Sequence, residues 1–196
     1  LNDLTVTDTL YLVHSGVKRL PKRLNVLGGL NITATKIKEL PPCLRVAGHM
    51  GLAFTNIERL PENLKVGGYL NIFGTPIEEL PKGLEVGGDF LFSSSKIKEL
   101  PENLKVGGNI RSDNLKFKTL PKGLEVGGRL DLGQTGISTL PDCLVVFGEL
   151  ALPENNVVLP LGLHDDLKIT CRGVSTTARR WRERIATEMA EDNFFI

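Results

Sequence analysis

The sequence predicts a repeat solenoid: one stack of eight coils of twenty residues each, closed at its C-terminal end by a helix. Three observations predict it. LPENLKVGG stands at 60–68 and again, letter for letter, at 100–108, while LPKGLEVGG stands at 80–88 and again at 120–128. Every twentieth residue from Val6 to Val146 is Val, every twentieth from Leu20 to Leu140 is Leu followed by Pro, and Leu24 to Leu144 form a third such series. Beyond Ile169 the period stops and a helical pattern takes over. A fixed period of this length means stacked units, none of which buries its apolar face alone.

One unit, VGGYLNIFGTPIEELPKGLE from Val66 to Glu85, serves for all. The alternation in Y-L-N-I-F reads as a short strand with Leu70 and Ile72 inward and Tyr69, Asn71 and Phe73 outward. The paired glycines admit a tight turn where a side chain would strike the neighbouring coil. Pro, with its fixed φ and no N–H, argues for an extended return on the far side of the coil and against a helix there. Framework charges alternate by copy: Glu62, Lys82, Glu102, Lys122 and Asp142 in one column, Lys65, Glu85, Lys105 and Glu125 in another. With coils ~4.8 Å apart, each charge is expected beside its opposite above and below. Such surface pairs contribute under about 1 kcal/mol each, and they disfavour slipped stacking.

The motif L-x-L-x-x-T-x-I-x-x-L-P, repeated over residues 5–169, resembles the leucine-rich repeat in the short twenty-residue form of bacterial secreted effectors and related bacterial or phage proteins. The resemblance implies the α/β leucine-rich-repeat class, mostly β or extended, coiled right-handed with a parallel sheet on a concave face that binds other proteins. Thr35, Thr55, Thr75 and Thr135, with Ser15 and Ser95, stand where the family has Asn, and only Asn155 follows its rule. Their hydroxyls are expected to bond the backbone of the adjacent coil. Gly or another residue also replaces the family's first Leu in most copies.

Function is sought where the copies differ. The outward column before the first strand Leu reads Thr9, Gly29, His49, Tyr69, Asp89, Asn109, Arg129, Glu149. The next reads Tyr11, Asn31, Gly51, Asn71, Leu91, Arg111, Asp131, Ala151, and the third includes Ala53, Phe73, Ser93 and Asp113. Copies 3–5 gather His49, Phe54, Tyr69, Asn71, Phe73 and Leu91; copies 5–7 gather Asp89, Arg111, Asp113, Arg129 and Asp131. An aromatic cluster beside an Arg-containing polar patch has the composition of a protein-binding hot spot and its rim. The bland alternative is a drifting solvated face on which a few aromatics reinforce the sheet. Copy 6 departs, with Ser112 at an inward position, Leu115 at the Thr position and Phe117 for Ile, so a bulge or shifted strand is expected there.

Other chemistries fare less well. Asp113 and Asp131 on adjacent coils mimic a carboxylate pair, but Arg111 and Arg129 neutralise both and an open solenoid implies no pocket. His14 and His49 lie two coils apart with no further ligand at metal spacing. Cys43 and Cys143 share a column roughly 24 Å apart, too far to bridge, and read as framework residues in a reducing compartment. Cys171 beside Arg172 has no His or Asp to make it a nucleophile. No cofactor is expected.

In VSTTARRWRERIATEMAEDNFFI, Ala178, Trp181, Ile185 and Met189 form one stripe of an amphipathic helix. Ser175 or a following Thr caps its start. Solenoid ends expose apolar surface, so this helix is expected to cover coil 8 with help from Phe194 and Phe195. Arg179, Arg180, Arg182 and Arg184 invite a nucleic-acid reading, but Glu183, Glu188, Glu191 and Asp192 nearly balance them, and the formal net charge of the 196 residues is only +1.

The expected organisation is a solenoid over 1–169 and a helical cap over 170–196. The expected function is non-enzymatic binding of a protein partner, as for a bacterial effector or a phage inhibitor of a host protein. An enzyme using the Asp/Arg patch, or a structural solenoid that self-associates through its N-terminal end, are the alternatives. LNDLTVTDTLYL has neither the basic start nor the apolar run of a signal peptide, and no membrane-spanning run occurs, so a cytoplasmic location is expected. Residue 1 is not Met, which leaves room for an upstream segment.

Overall fold

A computed structural model describes residues 3–111, 118–153 and 157–192, with side chains to Met189. Ser112, Asp113, Leu115, Phe117, Asn155, Phe194 and Phe195, for which the sequence carries expectations, lie outside the described residues.

The chain forms a β-solenoid of about eight turns, each twenty residues long, as the period predicts. Each coil contributes two short strands rather than the one expected. The outward–inward alternation builds a ten-stranded sheet that begins with Leu10–Tyr11 and runs through Met50–Gly51, Leu70–Asn71 and Phe90–Leu91 to Lys168–Cys171 and Val174–Thr177. The x-V pair ahead of the glycines builds a second, eight-stranded sheet, from Asp3–Val6 through Lys65–Val66 to Val145–Val146. The strands are parallel throughout except for the last. Register advances by twenty on both sides, Leu70 opposite Phe90 and Val66 opposite Val86, so equivalent side chains stack into ladders.

The core lies between the sheets. Leu70, Ile72 and Ile77 are fully buried, and Phe90 and Phe92 fill coil 5 with rings 4.5 Å apart. The strand itself covers only Leu70–Asn71, yet the alternation holds beyond it, with Ile72 buried and Tyr69, Asn71 and Phe73 half-buried. The first glycine of each pair is required by space. A Cβ on Gly67 would run into the carbonyl oxygen of Ala47 on the coil below.

The Thr column acts differently from expectation. The hydroxyls of Thr35, Thr55, Thr75 and Thr135 donate at 2.7–2.8 Å to the carbonyl three residues earlier in their own coil, not to the adjacent one. The same carbonyl accepts the Thr backbone N–H, as Thr75 to Ile72 at 3.3 Å, so each hydroxyl locks a turn. That turn puts the preceding residue in the left-handed region: His14, Ala34, Phe54, Gly74 and Ser94 have φ between 54° and 64°.

The charge ladder is only half formed. Lys65 pairs with Glu85 at 2.8 Å and Lys105 with Glu125 at 3.0 Å, but among the described residues no ion pair bridges Glu85 to Lys105 or joins the Glu62–Lys82–Glu102–Lys122 column. The alternating spelling has a steric cause as well. Asn63, Gly83, Asn103 and Gly123 all have φ between 55° and 69°, and a Cβ on Gly83 would sit 2.6 Å from the Asn63 side-chain oxygen. One Asn in this column therefore excludes a side chain on the rung that follows.

At the C-terminal end, Lys168–Cys171 adds a ninth rung in parallel to Glu149–Leu152, and Val174–Thr177 folds back on it antiparallel. The two-residue connection is Arg172 and Gly173, both at positive φ, the geometry that matches the twist of a tight hairpin. The expected boundary at 169/170 thus falls within a strand, and the cap is a hairpin followed by the helix Ala178–Asp192. Thr177 caps that helix, its Oγ1 accepting the Arg180 N–H at 3.4 Å. Ala178, Trp181 and Ile185 are buried, and the indole N–H of Trp181 donates to the Val157 carbonyl at 2.8 Å. Met189, expected in the same stripe, is exposed because the helix outruns the coil it covers.

Candidate protein-interaction face

The outer face of the ten-stranded sheet carries the residues singled out above, and the coil register brings most of them together. Two grooves mark it. One, of ≈ 480 Å³, is walled by His49, Tyr69, Asp89 and Leu91; the other, of ≈ 630 Å³, by Phe73, Leu91, Arg111, Arg129 and Asp131. They share Asn71 and Leu91 and so form one continuous surface across coils 3–7. A larger hollow of ≈ 710 Å³ between Cys43 and Lys65 lies against the eight-stranded sheet and has no aromatic wall.

Two aromatic pairs anchor the first half. His49 and Tyr69 stack with centroids 4.3 Å apart, and Phe54 meets Phe73 edge-on at 5.2 Å. Phe54 is 62% exposed and stands at φ 55°, in the column where coil 4 has Gly74. A bulky side chain is uncommon there, since its Cβ crowds its own backbone. Gly51 and Ala53 of coil 3 are buried although they point outward, and Phe73 is half-buried, so part of this face is covered by its own side chains.

The structure assigns some candidates a second, structural task. His49 Nδ1 accepts the backbone N–H of Tyr69 at 3.1 Å, Asp89 Oδ1 that of Asn109 at 2.8 Å, and Asn109 Oδ1 that of Arg129 at 2.8 Å. This column, read as free to vary, therefore favours acceptors wherever they close the gap to the next coil. Asn71 likewise binds the N–H of Phe73 at 3.0 Å, a local turn that ends its strand.

The polar half is an ion-pair network. Arg129 donates to Asp131 at 2.9 Å and to Glu149 at 2.6 Å, and Glu149 also takes bonds from Lys168 at 2.9 Å and from the Thr170 hydroxyl at 2.6 Å. The Thr170 hydroxyl, then Lys168 and Arg129, hold the Glu149 carboxyl below the usual glutamate range, against the opposing effect of its burial. Glu149 closes the outward column read from the sequence, though not among the expected site residues; Lys168 and Thr170 escaped that reading because they lie on a ninth rung that breaks the twenty-residue count. Arg111 is exposed and makes no ion pair among the described residues. Asp113, its expected partner, lies outside them.

Cys171 is buried under the cap, while Cys43 and Cys143 are exposed free thiols. Of the C-terminal arginines, Arg179 and Arg182 pair with Asp165, and Arg184 lies 4.3 Å over the Trp181 ring, so these three belong to the cap. Among the described residues no three His, Cys, Asp or Glu side chains converge, and no helix is long and apolar enough to cross a membrane. Comparison with protein-family models, with curated proteins and with solved structures gives no match to this chain.

Proposed function

We propose that this chain is a non-enzymatic protein-interaction module whose partner docks on the outer face of the ten-stranded sheet. The observation that carries the proposal is Phe54: the Thr turn holds five described residues at left-handed φ, and of these only Phe54 is a large apolar ring, kept largely in solvent against the edge of Phe73. A bulky side chain is disfavoured on that backbone, so turn geometry and packing alone do not select it. Phe54, Tyr69, Phe73 and Leu91 are the anchors, and Arg111, Arg129 and Asp131 orient the partner. His49, Asn71 and Asp89 hold the surface in shape.

Against an enzyme using the Asp/Arg patch stands the ion-pair network, in which Arg129 holds both Asp131 and Glu149. The identification as a leucine-rich-repeat protein of bacterial or phage origin, acting in a cytosol on a host protein, rests on the L-x-L-x-x-T-x-I-x-x-L-P likeness. The test is a quantitative pull-down from lysate of the native host, comparing wild type with the F54A/Y69A/F73A variant. A partner kept by wild type and lost by the variant, with the variant's circular dichroism unchanged, supports the assignment. An unchanged partner list moves binding elsewhere on the solenoid.

A further inference from the structure

Charge on this chain is nearly balanced overall but unevenly spread. Residues 1–50 carry seven Lys and Arg against three Asp and Glu; the rest carries 17 against 20. Lys18, Arg19 and Lys22 of the first coil and Lys36 and Lys38 of the second line one groove of ≈ 610 Å³, with Glu39 its single acidic lining residue. All six are exposed, and among the described residues none of the five cations forms an ion pair.

Three lysines elsewhere in the framework find a carboxylate on an adjoining rung. Lys98 reaches Glu78 on the adjoining coil at 2.6 Å, in the very column that holds Lys18 and Lys38. The strands on both sides keep those two lysines in twenty-residue register, on successive rungs ~4.8 Å apart. Like charges so placed repel. Like pairs recur along this column, Glu58 over Glu78 and Lys98 beside Lys118; here three further cations, Arg19, Lys22 and Lys36, join the pair, and a multivalent anion between them offsets their repulsion.

The surroundings define the anion. No aromatic side chain lines the groove, so bases would find no platform to stack on. On the next two coils the same columns hold Glu58, Glu62, Glu78 and Glu79 against Arg59 and Lys82, so the cationic excess ends after about 10 Å along the axis. A long polyanion laid along the stack would meet those carboxylates. We propose that this groove binds a compact oligophosphate, a ligand with two or three linked phosphate groups, which Lys18, Lys36 and Lys38 neutralise while the Arg19 fork takes paired oxygens. This site is independent of the protein-binding face.

The probe is inorganic tripolyphosphate, titrated calorimetrically into the whole chain. Saturable 1:1 binding is expected, weakened about tenfold or more in K36Q/K38Q and by elevated salt. A K82Q/K122Q variant, which removes two exposed lysines outside the groove, is expected to bind like wild type. The melting temperature of K36Q/K38Q should equal or exceed that of wild type, because the substitution relieves repulsion. No saturable heat, or equal losses in both double variants, overturns the proposal. So does tighter binding of a single-stranded oligonucleotide or an oligoglutamate peptide through the same lysines, which would make the ligand a macromolecule.

Discussion

Phe54→Ala and Phe54→Gly delete the same ring and therefore forfeit the same contacts. The hidden part of the side chain, about two-fifths of a 150–250 Å² residue, is worth ~2 kcal/mol at ~25 cal/mol/Å². The two variants differ only in backbone. At an ordinary position Gly is the less stable by about 0.5–1 kcal/mol, because it frees the unfolded chain. At φ 55° the order should reverse, since the left-handed conformation costs an L-residue roughly 1–2 kcal/mol and costs Gly nothing. The balance leaves F54G ahead by about 0.5–1 kcal/mol, or ~1–4 °C in melting temperature for a chain of this size. Both variants should melt below wild type. The assay is thermal melting by circular dichroism, repeated as urea midpoints. If F54A proves as stable as F54G or more so, the position is not strained, and the case for Phe54 as a selected anchor falls with it.

Four further outcomes follow from the packing. Gly67→Ala drives a Cβ into the Ala47 carbonyl, a backbone atom that cannot yield, and should cost about 1–3 kcal/mol, whereas Gly16→Ala, with open space around it, should be near neutral; urea midpoints compare them. Gly83→Ala should destabilise less in an N63G background than alone, because the Asn63 amide is half of the clash, and a double-mutant cycle reads that coupling. Trp181→Phe strands the Val157 carbonyl and should lose about 1–3 kcal/mol, seen first as earlier melting of the cap by hydrogen exchange. Glu149 has a folded pKa below its unfolded value of about 4.3. Its contribution is therefore complete above that value and lost as pH falls through the lower folded one. Wild type should lose more stability than E149Q between neutral pH and strongly acidic pH, and equal losses would remove Glu149 from the network.

The sequence by itself determined the coil. Its period is the unit length, the buried Val and Leu columns are its core, and the switch to a 3.6-residue stripe after Ser175 is its helix, because each of these depends on neighbours close along the chain or on the coil stacked directly against it. The outward columns also located the candidate face, since a fixed period fixes which residues share a rung. Tertiary structure decided what the period does not encode. Whether a Thr hydroxyl turns to its own coil or the next depends on a turn geometry that only the folded backbone displays. Whether His49 and Asp89 are free or committed depends on an N–H that is presented from twenty residues away. The second sheet arises where two-residue segments, too short to read as strands, meet their equivalents above and below. The ninth rung and its hairpin have no repeat to announce them; Lys168–Cys171 is a strand because coil 8 offers it an edge. The unpaired lysines of the first two coils are a matter of which charges find a partner across a rung, and that is decided in space.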